Sequence, residues 1–445
     1  MKQCFLIGER LGHSWSTEIH RAFGRYDHEL RELAPAELEP FLRARDFAGL
    51  NVTIPYKEAV IPLLDRLDPA AAAIGAVNTV VNRDGVLWGY NTDFDGMKSA
   101  LERLCRERAA NGRPYGETWA AHDRPCGGEN ARRGEHCSSP PLSGKRVLIL
   151  GTGGTSKTAA AVCGALGAAR IDRVSRSGKD GALRYAELPE RGRDAALLLN
   201  CTPAGMWPDW EACPLDPAVL PGLEGVFDCV YNPLRTRLVL RARSLGLPAA
   251  GGLEMLVRQA ALACGLFTGE AVPEARLQSV LASLLRQRES LVLIGMPGAG
   301  KSTLGRLLAQ KTGKEFVDID EEISKAAGKS IPSIFAEAGE AAFRALEAAA
   351  VRALSPRGGL VVAAGGGTVL QAENVTRLKQ NGRLILLDRP LPALEPSPER
   401  PLGDTAEKLA ALYETRSPVY AAAADLTVPN QGSPEEAAAL ILTKL

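Results

Sequence analysis

Short apolar runs alternate with longer stretches of helical spacing over most of the chain. In residues 1–100 the runs KQCFLIG, GLNVTIPYK (49–57), AVNTVVN and VLWGYNTD predict strands. Residues 18–33 and 58–74 lie between these runs and have a helical composition. This repetition of strand and helix is typical of an α/β fold, and it predicts a mainly parallel sheet.

A glycine-rich loop follows the strand GKRVLILG at 144–151 and precedes a helix-forming stretch. The loop carries Gly151, Gly153 and Gly154, and then Thr155 and Ser156. Glycines between a strand and a helix let the backbone approach a pyrophosphate at the helix N-terminus. Because the loop has no Lys–Ser/Thr pair of the P-loop kind, it predicts a dinucleotide site.

The next strand, RIDRVSRS at 170–177, bears on which dinucleotide binds. An NAD-selective fold places an acid at the end of this strand to hold the ribose 2′-hydroxyl. Here the strand ends in Ser175 and Arg176, and Lys179 is close by. A guanidinium suits a 2′-phosphate, so the pattern favours NADP. Asp172 is the competing acid, but it lies inside the strand, where we expect it to cap or to face solvent.

A second phosphate-binding pattern begins where the apolar run LVLI (291–294) leads into GMPGAGKST (295–303). Gly295, four residues, and then Gly300, Lys301 and Ser302 have the spacing of a P-loop. The backbone N–H groups cradle phosphates, Lys301 adds a positive charge, and Ser302 can offer its hydroxyl to Mg²⁺. We therefore predict that these residues bind nucleotide phosphates: Gly298, Ala299, Gly300, Lys301, Ser302 and Thr303.

At 445 residues the chain is too long for one core. We predict a first α/β domain over 1–100, completed by helices at 253–287, a Rossmann domain over 144–252, and a P-loop α/β domain over 289–445. Residues 106–143 are rich in Arg, Gly, Pro and Ser and predict a mobile insertion. This segment holds His122, Cys126, His136 and Cys137, but it lacks CxxC spacing, so a solvated loop is favoured over a zinc site.

Charge and composition narrow the class of protein. The net charge of +1 does not favour a nucleic acid or a membrane surface as partner, and no apolar run is long enough to cross a bilayer. The N-terminus lacks the pattern of a signal peptide. Nine scattered cysteines fit reduced thiols, and we expect a cytoplasmic location.

Blocks in the first part resemble the signature blocks of shikimate dehydrogenases. They are HSWS (13–16), NVTIPYK (51–57), AVNTVV (76–81), NTDFDG (91–96), NCTPAGM (200–206), YNPLRT (231–236) and EMLVRQA (254–260). The resemblance implies reduction of 3-dehydroshikimate with NADPH, with Lys57 and Asp93 at the reacting oxygen. It also implies that Ser14 and Ser16 bind the substrate carboxylate, and that Thr53, Asn78, Tyr231 and Gln259 are further substrate contacts. The family usually has proline where this chain has Thr17.

The last part is similar to shikimate kinase over about 290–445. The P-loop, FVDID (316–320), GEAAFRALE (339–347), AAGGG (363–367), RPL (400–402) and RSPVY (416–420) occur in that family's order. The resemblance implies that MgATP phosphorylates shikimate, with Asp320 at the acceptor hydroxyl and Asp318 supporting Mg²⁺. Arg344 and Arg416 would hold the substrate carboxylate beside Gly365, Gly366 and Gly367, and Arg400 would reach the transferred phosphoryl group. The segment 388–399 is short and rich in proline, where the family has a longer helical lid.

Three alternatives remain open at this point. The dehydrogenase could be of a quinate type that uses NAD, although Arg176 argues against it. The P-loop part could be a degenerate or regulatory nucleotide-binding module, or a kinase for another small hydroxylated acid. Small-molecule substrates are expected in every case, and the oligomeric state is left open.

Overall fold

Two compact units make up the part of the chain that the structure, a computed structural model, describes. The described residues are 3–12, 14–24, 26–110, 140–395 and 404–445. The first unit reaches Ser283 and the second begins at Leu284. Each unit has its own buried apolar clusters.

The first sheet contains six strands in the order β2-β1-β3-β5-β6-β4. Their bounds are β1 Gln3–Gly8, β2 Asp27–Glu32, β3 Gly49–Val52, β4 Arg66–Leu67, β5 Thr79–Arg83 and β6 Val86–Tyr90. The sheet is mainly parallel, as predicted, since the pairs β1–β2, β1–β3 and β4–β6 are parallel, and only β5 runs antiparallel to its neighbours β3 and β6. Asp84 and Gly85 join β5 to β6 with positive φ angles of 52° and 87°. An Asp-Gly pair of this kind makes the tight turn of a hairpin.

The helices of this lobe are shorter than the sequence pattern suggested. They are α1 Ser16–Phe23, α2 Leu38–Ala44, α3 Tyr56–Ala59, α4 Pro69–Ile74 and α5 Asp93–Ala110. The helix predicted over 18–33 ends before Gly24, and its second half is strand β2, which pairs with β1. The helix predicted over 58–74 is interrupted by β4, since Pro62 and Pro69 cannot donate a helical hydrogen bond.

The second lobe of this unit is a fully parallel sheet in the order β12-β11-β10-β7-β8-β9. Its strands are β7 Arg146–Leu150, β8 Arg170–Ser175, β9 Leu183–Arg184, β10 Leu197–Asn200, β11 Gly225–Asp228 and β12 Ala249–Ala250. Its helices are α6 Gly154–Ala165, α7 Leu188–Arg191 and α8 Arg237–Ser244. The order reverses beside β7, and ligands of doubly wound folds bind at the carboxyl ends of strands near such a point.

Two long helices, α9 Leu253–Thr268 and α10 Glu274–Arg288, follow the parallel sheet. α10 returns to the first lobe, because the Arg276 guanidinium donates to the carbonyl of Ala22 in α1 (Nη2–O 2.6 Å). The side chain of Gln259 in α9 reaches the first lobe as well, 3.4 Å from Asn78.

The second unit is a five-stranded parallel sheet in the order β14-β15-β13-β16-β17. The strands are β13 Ser290–Ile294, β14 Glu315–Asp318, β15 Leu360–Ala363, β16 Gly382–Asp388 and β17 Leu426–Pro429. The helices are α11 Lys301–Thr312, α12 Ile319–Ala327, α13 Ile331–Leu354, α14 Ala372–Asn381, α15 Ala406–Ala423 and α16 Pro434–Thr443. α13 is interrupted at Gly339, where φ is 76°. Within the described ranges, no helix is both long enough and apolar enough to cross a membrane.

Candidate active sites

A lysine–aspartate pair lies in the cleft of the first unit. Lys57, in the short helix α3, places its Nζ 2.7 Å from Oδ2 of Asp93, the first residue of α5. The same Nζ is 3.3 Å from Oγ1 of Thr155 in the dinucleotide loop. The two charged side chains are only 15% and 8% exposed. A shielded ammonium therefore lies beside the loop predicted to bind the cofactor.

Glycine at position 154 allows this close approach. A Cβ atom there would lie 3.1 Å from Cβ of Lys57, a distance that needs the neighbour to give way. Gly154 is also the first residue of α6, so the N-terminus of the helix faces the lysine. Gly154, predicted to bind the cofactor, and Lys57, predicted to be catalytic, therefore lie side by side.

An amide network continues the cleft beside the pair. Asn78 Nδ2 donates to Oγ1 of Thr92 at 3.0 Å and to Oε1 of Gln259 at 3.4 Å. The backbone N–H of Thr92 donates back to Asn78 Oδ1 at 2.7 Å. Thr92 was not among the predicted residues, although it stands next to Asp93 in the sequence. The network brings Asn78 and Gln259 together across 181 residues of chain.

Ser14, Ser16 and Tyr231 form a second polar group at the start of α1. The Ser16 backbone N–H donates to Ser14 Oγ at 3.2 Å, and the rings of Trp15 and Tyr231 meet edge to face at 5.2 Å. Burial raises the pKa of the Tyr231 hydroxyl, and a hydrogen bond with the Ser14 side chain opposes that rise. Thr53 lies beside Gly8, since a Cβ atom on Gly8 would be 2.7 Å from Cγ2 of Thr53.

Two buried histidines, His20 in α1 and His28 in β2, belong to the same lobe. His20 and His28 stack with centroids 4.1 Å apart, and the His20 ring is hydrogen bonded to the Tyr26 hydroxyl. Burial lowers the pKa of both imidazoles, that of His28 to about 4. Thr17, which stands where the resembling family usually has proline, has its hydroxyl 3.4 Å from Nδ1 of His28. The unusual threonine therefore contacts the histidine stack.

The dinucleotide loop has the backbone shape that its glycines permit. Gly151 has a φ of 109°, and Gly153 is the N-cap of α6. Ser156 is buried and its hydroxyl donates to the Gly153 carbonyl at 2.7 Å, so this side chain shapes the turn. The hydroxyl of Thr155, in contrast, points toward Lys57.

The end of β8 carries the residues predicted to select NADP. Ser175 Oγ accepts from the Gly178 N–H at 3.0 Å, and Arg176 is exposed at the tip of the strand. Lys179 begins the turn that follows. Asp172 does not simply cap or face solvent, because its carboxylate is bound by Arg146 (2.7 Å) and Arg170 (2.9 Å). The competing acid is thus occupied by two guanidinium groups within the sheet.

The P-loop of the second unit surrounds the N-terminus of α11. Gly295, Gly298 and Gly300 have positive φ angles, and Gly300 is the N-cap of α11. Lys301 Nζ donates to the carbonyls of Gly295 and Met296, both at 3.0 Å. Asn430, which the sequence reading missed, donates to the Ala299 carbonyl at 2.6 Å and holds the loop from the end of β17.

Ser302 and Asp318 are joined directly. Ser302 Oγ donates to Asp318 Oδ2 at 2.6 Å, and Asp318 Oδ1 accepts the backbone N–H of Asp320. Asp318 is therefore the N-cap of α12, and Asp320 lies in the first turn of that helix. Burial and the nearby Asp318 raise the pKa of Asp320 to about 6.

The glycines after β15 pack against the charged residues of the kinase-like site. A Cβ at Gly365 would lie 2.8 Å from Asp320 Oδ1, and one at Gly367 would collide with the Arg344 guanidinium. The Gly366 carbonyl accepts from Arg416 Nη1 at 3.0 Å and from the Tyr420 hydroxyl. Asp320, Arg344 and Arg416 therefore all lie next to one glycine loop, Gly365–Gly367.

Arg344 is already bound by two carboxylates. Its Nη1 donates to Glu347 at 2.8 Å and its Nη2 to Glu340 at 3.0 Å. Glu347 is fully buried and also accepts from Thr368 at 2.7 Å, whereas the Glu340 side chain is 51% exposed. A substrate carboxylate would compete with the exposed Glu340 for this guanidinium. Arg400 and the other residues of 396–403, which include the end of the proline-rich segment, lie outside the described residues.

The fold and these sites define the class of protein: a dinucleotide-dependent oxidoreductase joined on one chain to a P-loop phosphotransferase. Residues 6–80 match the family described as shikimate dehydrogenase substrate binding domain, and residues 252–281 match the shikimate 5′-dehydrogenase C-terminal domain. Residues 297–445 match shikimate kinase.

Relatives and solved structures agree with this class. The chain is 36% identical to the NADP(+) shikimate dehydrogenase of Moorella thermoacetica, over 66% of this chain and 96% of that protein. It is 34% identical to that of Symbiobacterium thermophilum, over 60% of this chain and 89% of that protein. The structure of shikimate dehydrogenase 1 from Peptoclostridium difficile matches with a TM-score of 0.52 at 28% identity, over 64% of this chain and 98% of that one. The chain therefore belongs to the shikimate dehydrogenase family and carries a shikimate kinase domain at its C-terminal end.

One further structure bears on the cofactor. The shikimate 5-dehydrogenase of Thermus thermophilus was solved in complex with NADP(H) and shikimate, and it matches with a TM-score of 0.50 at 29% identity, over 64% of this chain and 99% of that one.

Proposed function

We propose that this bifunctional shikimate-pathway enzyme reduces 3-dehydroshikimate to shikimate with NADPH and then phosphorylates shikimate at its 3-hydroxyl with ATP. The observation that carries the proposal is the shielded pair of Lys57 and Asp93, with Lys57 Nζ 3.3 Å from the dinucleotide loop. The shikimate kinase domain on the same chain supports the second step, because its substrate would be the product of the first.

Lys57 would act on the ketone oxygen in the first reaction. When bound, NADPH would supply a hydride to the carbonyl carbon. Negative charge then develops on the oxygen, and the Lys57 ammonium can stabilise this charge and donate a proton. Asp93, at 2.7 Å, fixes the direction of the ammonium. The substrate carboxylate would be bound by the hydroxyls of Ser14 and Ser16, and the ring hydroxyls by the network of Asn78, Thr92 and Gln259.

The preference for NADP rests on the end of β8. Arg176 is exposed where a ribose 2′-phosphate would lie, and Ser175 and Lys179 flank it. Because Asp172 is held by Arg146 and Arg170, it is not available to bind a ribose hydroxyl. This arrangement argues against the NAD-dependent quinate alternative.

Asp320 would accept the proton of the attacking hydroxyl in the second reaction. Its pKa of about 6 leaves the carboxylate ionised at neutral pH and still able to take a proton. Arg416, held by the Gly366 carbonyl, and Arg344 would position the substrate carboxylate. Lys301 would stabilise charge on the phosphates, and Arg400 is proposed to reach the transferred group.

Magnesium fits the donor set at the P-loop. A serine hydroxyl and a carboxylate 2.6 Å apart are the hard oxygen ligands that Mg²⁺ prefers, with water completing its coordination. When bound, Mg²⁺ would neutralise charge on the phosphate oxygens. Ser302 and Asp318 are the residues proposed to hold it.

A substrate and cofactor panel tests the proposal. We expect purified protein to oxidise NADPH with 3-dehydroshikimate much faster than with 3-dehydroquinate, and faster than it oxidises NADH. We expect ADP release to depend on shikimate and Mg²⁺. ATP consumption that is equal without shikimate, or absent with it, would favour a degenerate or regulatory P-loop module.

A further inference from the structure

Two reduced cysteines meet at the carboxyl end of the parallel sheet of the first unit. Cys201 follows β10 and Cys229 follows β11, and their sulfur atoms are 3.7 Å apart. The strands are neighbours in exact register, with Asn200 paired to Asp228, and the N–H of Cys229 donates to the Asn200 carbonyl at 3.0 Å. Nothing in the proposed reactions uses either thiol.

The general spacing of neighbouring strands falls within the range that disulfides span. Adjacent strands lie about 4.8 Å apart, and disulfides join Cα atoms about 4.4–6.8 Å apart. The strand ends are also tied by side chains, because Asn200 Nδ2 donates to Asp228 Oδ1 at 3.0 Å. Closing the sulfur–sulfur gap to about 2.05 Å therefore needs side-chain rotation and a small shift of the two strand ends.

The pair lies against parts of the dehydrogenase site. A Cβ at Gly151, the first glycine of the dinucleotide loop, would lie 3.3 Å from the Cys201 carbonyl oxygen. On the other side, the hydrogen bond to Cys201, burial and the charges of Asp228 and Asp93 raise the pKa of the Cys229 thiol. The thiols are thus close to the cofactor loop, and they pack against the same buried cluster as Phe94, the residue that follows Asp93 in α5.

We propose that Cys201 and Cys229 are a redox modification site, at which a peroxide forms a reversible disulfide that slows the dehydrogenase and spares the kinase. The proposal adds to the proposed function, and its chemical part does not depend on the identity of the substrate.

The oxidation balances with hydrogen peroxide as the named oxidant. The Cys201 thiolate attacks one peroxide oxygen, the O–O bond breaks, and hydroxide leaves and becomes water by taking up the proton that the thiol lost. Cys201 is then a sulfenic acid. The Cys229 sulfur attacks the Cys201 sulfur, the S–O bond breaks, and a second water leaves with the thiol proton. Two thiols and one peroxide give one disulfide and two waters, and a dithiol reverses the reaction by exchange.

The distribution of cysteines gives the experiment an internal control. All nine cysteines precede residue 265, so the kinase domain at 297–445 contains none. Oxidation of thiols can therefore affect the kinase only indirectly, through damage to the rest of the chain. Shifts of about 1 Å at an active site can lower a rate by about 100-fold. We expect the disulfide to lower dehydrogenase kcat/KM by about 10-fold or more, with kinase activity unchanged.

The first measurement is a disulfide map of the full chain after peroxide treatment. Trypsin alone leaves Cys201, Cys213 and Cys229 in one peptide, 194–235. Cleavage after Glu211 and Glu224 separates them into peptides 194–211, 212–224 and 225–235. A cross-link of the first peptide to the third supports the proposal. Oxidation of the exposed Cys213 without this cross-link, or a cross-link from Cys201 to Cys105 or Cys163, overturns it.

The second measurement compares variants, each relative to its own activity in reductant. Cys229→Val and Cys201→Ser should resist inactivation by peroxide, and Cys213→Ser should behave like the unmodified chain. Recovery of activity with a dithiol is expected only where the disulfide can form. If Cys229→Val loses activity as the unmodified chain does, or if the mapped disulfide leaves the dehydrogenase rate unchanged, the regulatory claim is wrong. A reduced protein without dehydrogenase activity would refute the proposed function, while the map would still report on the thiols.

Discussion

Replacing Lys57 by methionine removes the ammonium and keeps most of the side-chain volume. The pair with Asp93 is at 2.7 Å and its side chains are 15% and 8% exposed. Leaving one charge of a buried pair unpaired costs about 3 kcal/mol or more. Loss of a positioned proton donor costs about 100- to 10,000-fold in rate. We therefore expect Lys57→Met to lower dehydrogenase kcat/KM by about 100-fold or more and to destabilise the first unit.

Lys145 provides the matched control. Its Nζ is also 2.7 Å from a carboxylate, that of Glu224, but the two side chains are 34% and 35% exposed. Pairs this open to solvent contribute about 0–1 kcal/mol. Lys145→Met makes the same chemical change, so it should alter stability by about 1 kcal/mol or less and leave both activities intact.

The double variant Lys57→Met/Asp93→Asn separates stability from catalysis. Removing both charges should recover much of the lost stability, since no buried carboxylate is left unpaired. It should not recover activity, because the proton donor is still missing. Urea unfolding and NADPH oxidation measure the two effects, and ADP formation by the same chain reports on the kinase. The reasoning fails if Lys57→Met keeps more than about a tenth of the rate, or if it destabilises no more than Lys145→Met.

Three further predictions concern the cofactor, the P-loop and pH. Arg176→Ala should raise the KM for NADPH by about 10- to 100-fold, as expected for loss of a bond to a charged phosphate, with little change for NADH. Arg191→Ala, which removes an exposed arginine of α7 that pairs with Glu187 in the same lobe, should change neither KM, and equal effects of Arg176→Ala on both cofactors would count against the assignment. Lys301→Ala should lower kinase kcat/KM by about 100-fold or more, whereas Lys311→Ala in the last turn of α11 should have little effect. Initial rates of ADP formation test this, and similar losses in both variants would argue against a specific role for Lys301. The histidine stack should make the first unit acid-sensitive. The pKa values of His20 and His28 are lowered in the folded state, so the unfolded chain binds more protons below about pH 6.5. Between about pH 7.5 and about pH 5, His28 alone should lower the free energy of unfolding by about 2 kcal/mol. Urea midpoints at these two pH values test this, with His28→Asn expected to reduce the dependence; an unchanged midpoint would mean that the histidines are not held neutral.

The parallel sheets could be predicted from sequence because their strands are buried on both faces and appear as continuous apolar runs. GKRVLILG and LVLI both correspond to observed strands. β2 could not be found in this way, because DHELRE is polar and only His28 is buried along it. Its strand identity comes from pairing with β1, a contact between distant parts of the chain that no local pattern contains. The turn at Asp84–Gly85, in contrast, carried a hairpin signal in its own sequence.

The candidate sites, like the fold, could be predicted only in part from local sequence. The chemistry of the glycine loops and of the P-loop lysine could be predicted from residue type and spacing, whereas the roles of Lys57 and Asp93 were implied by the resemblance of short blocks to a known family. The partners that hold them could not, because they come from other elements. Asn430 reaches the P-loop from β17, and Tyr420 binds the Gly366 carbonyl from α15. Glu347 stands three residues after Arg344, and this helical spacing was the one available signal for their pairing.

A coupled assay on the purified full chain tests the two-reaction assignment most directly. The protein is given 3-dehydroshikimate, NADPH and MgATP, and NADPH loss and ADP formation are followed separately. We predict that ADP forms only after NADPH is consumed, that omitting NADPH abolishes both signals, and that added shikimate restores ADP formation alone. NADPH loss without any ADP, even with added shikimate, would contradict the kinase assignment, and ADP formation from shikimate with no NADPH loss would contradict the dehydrogenase.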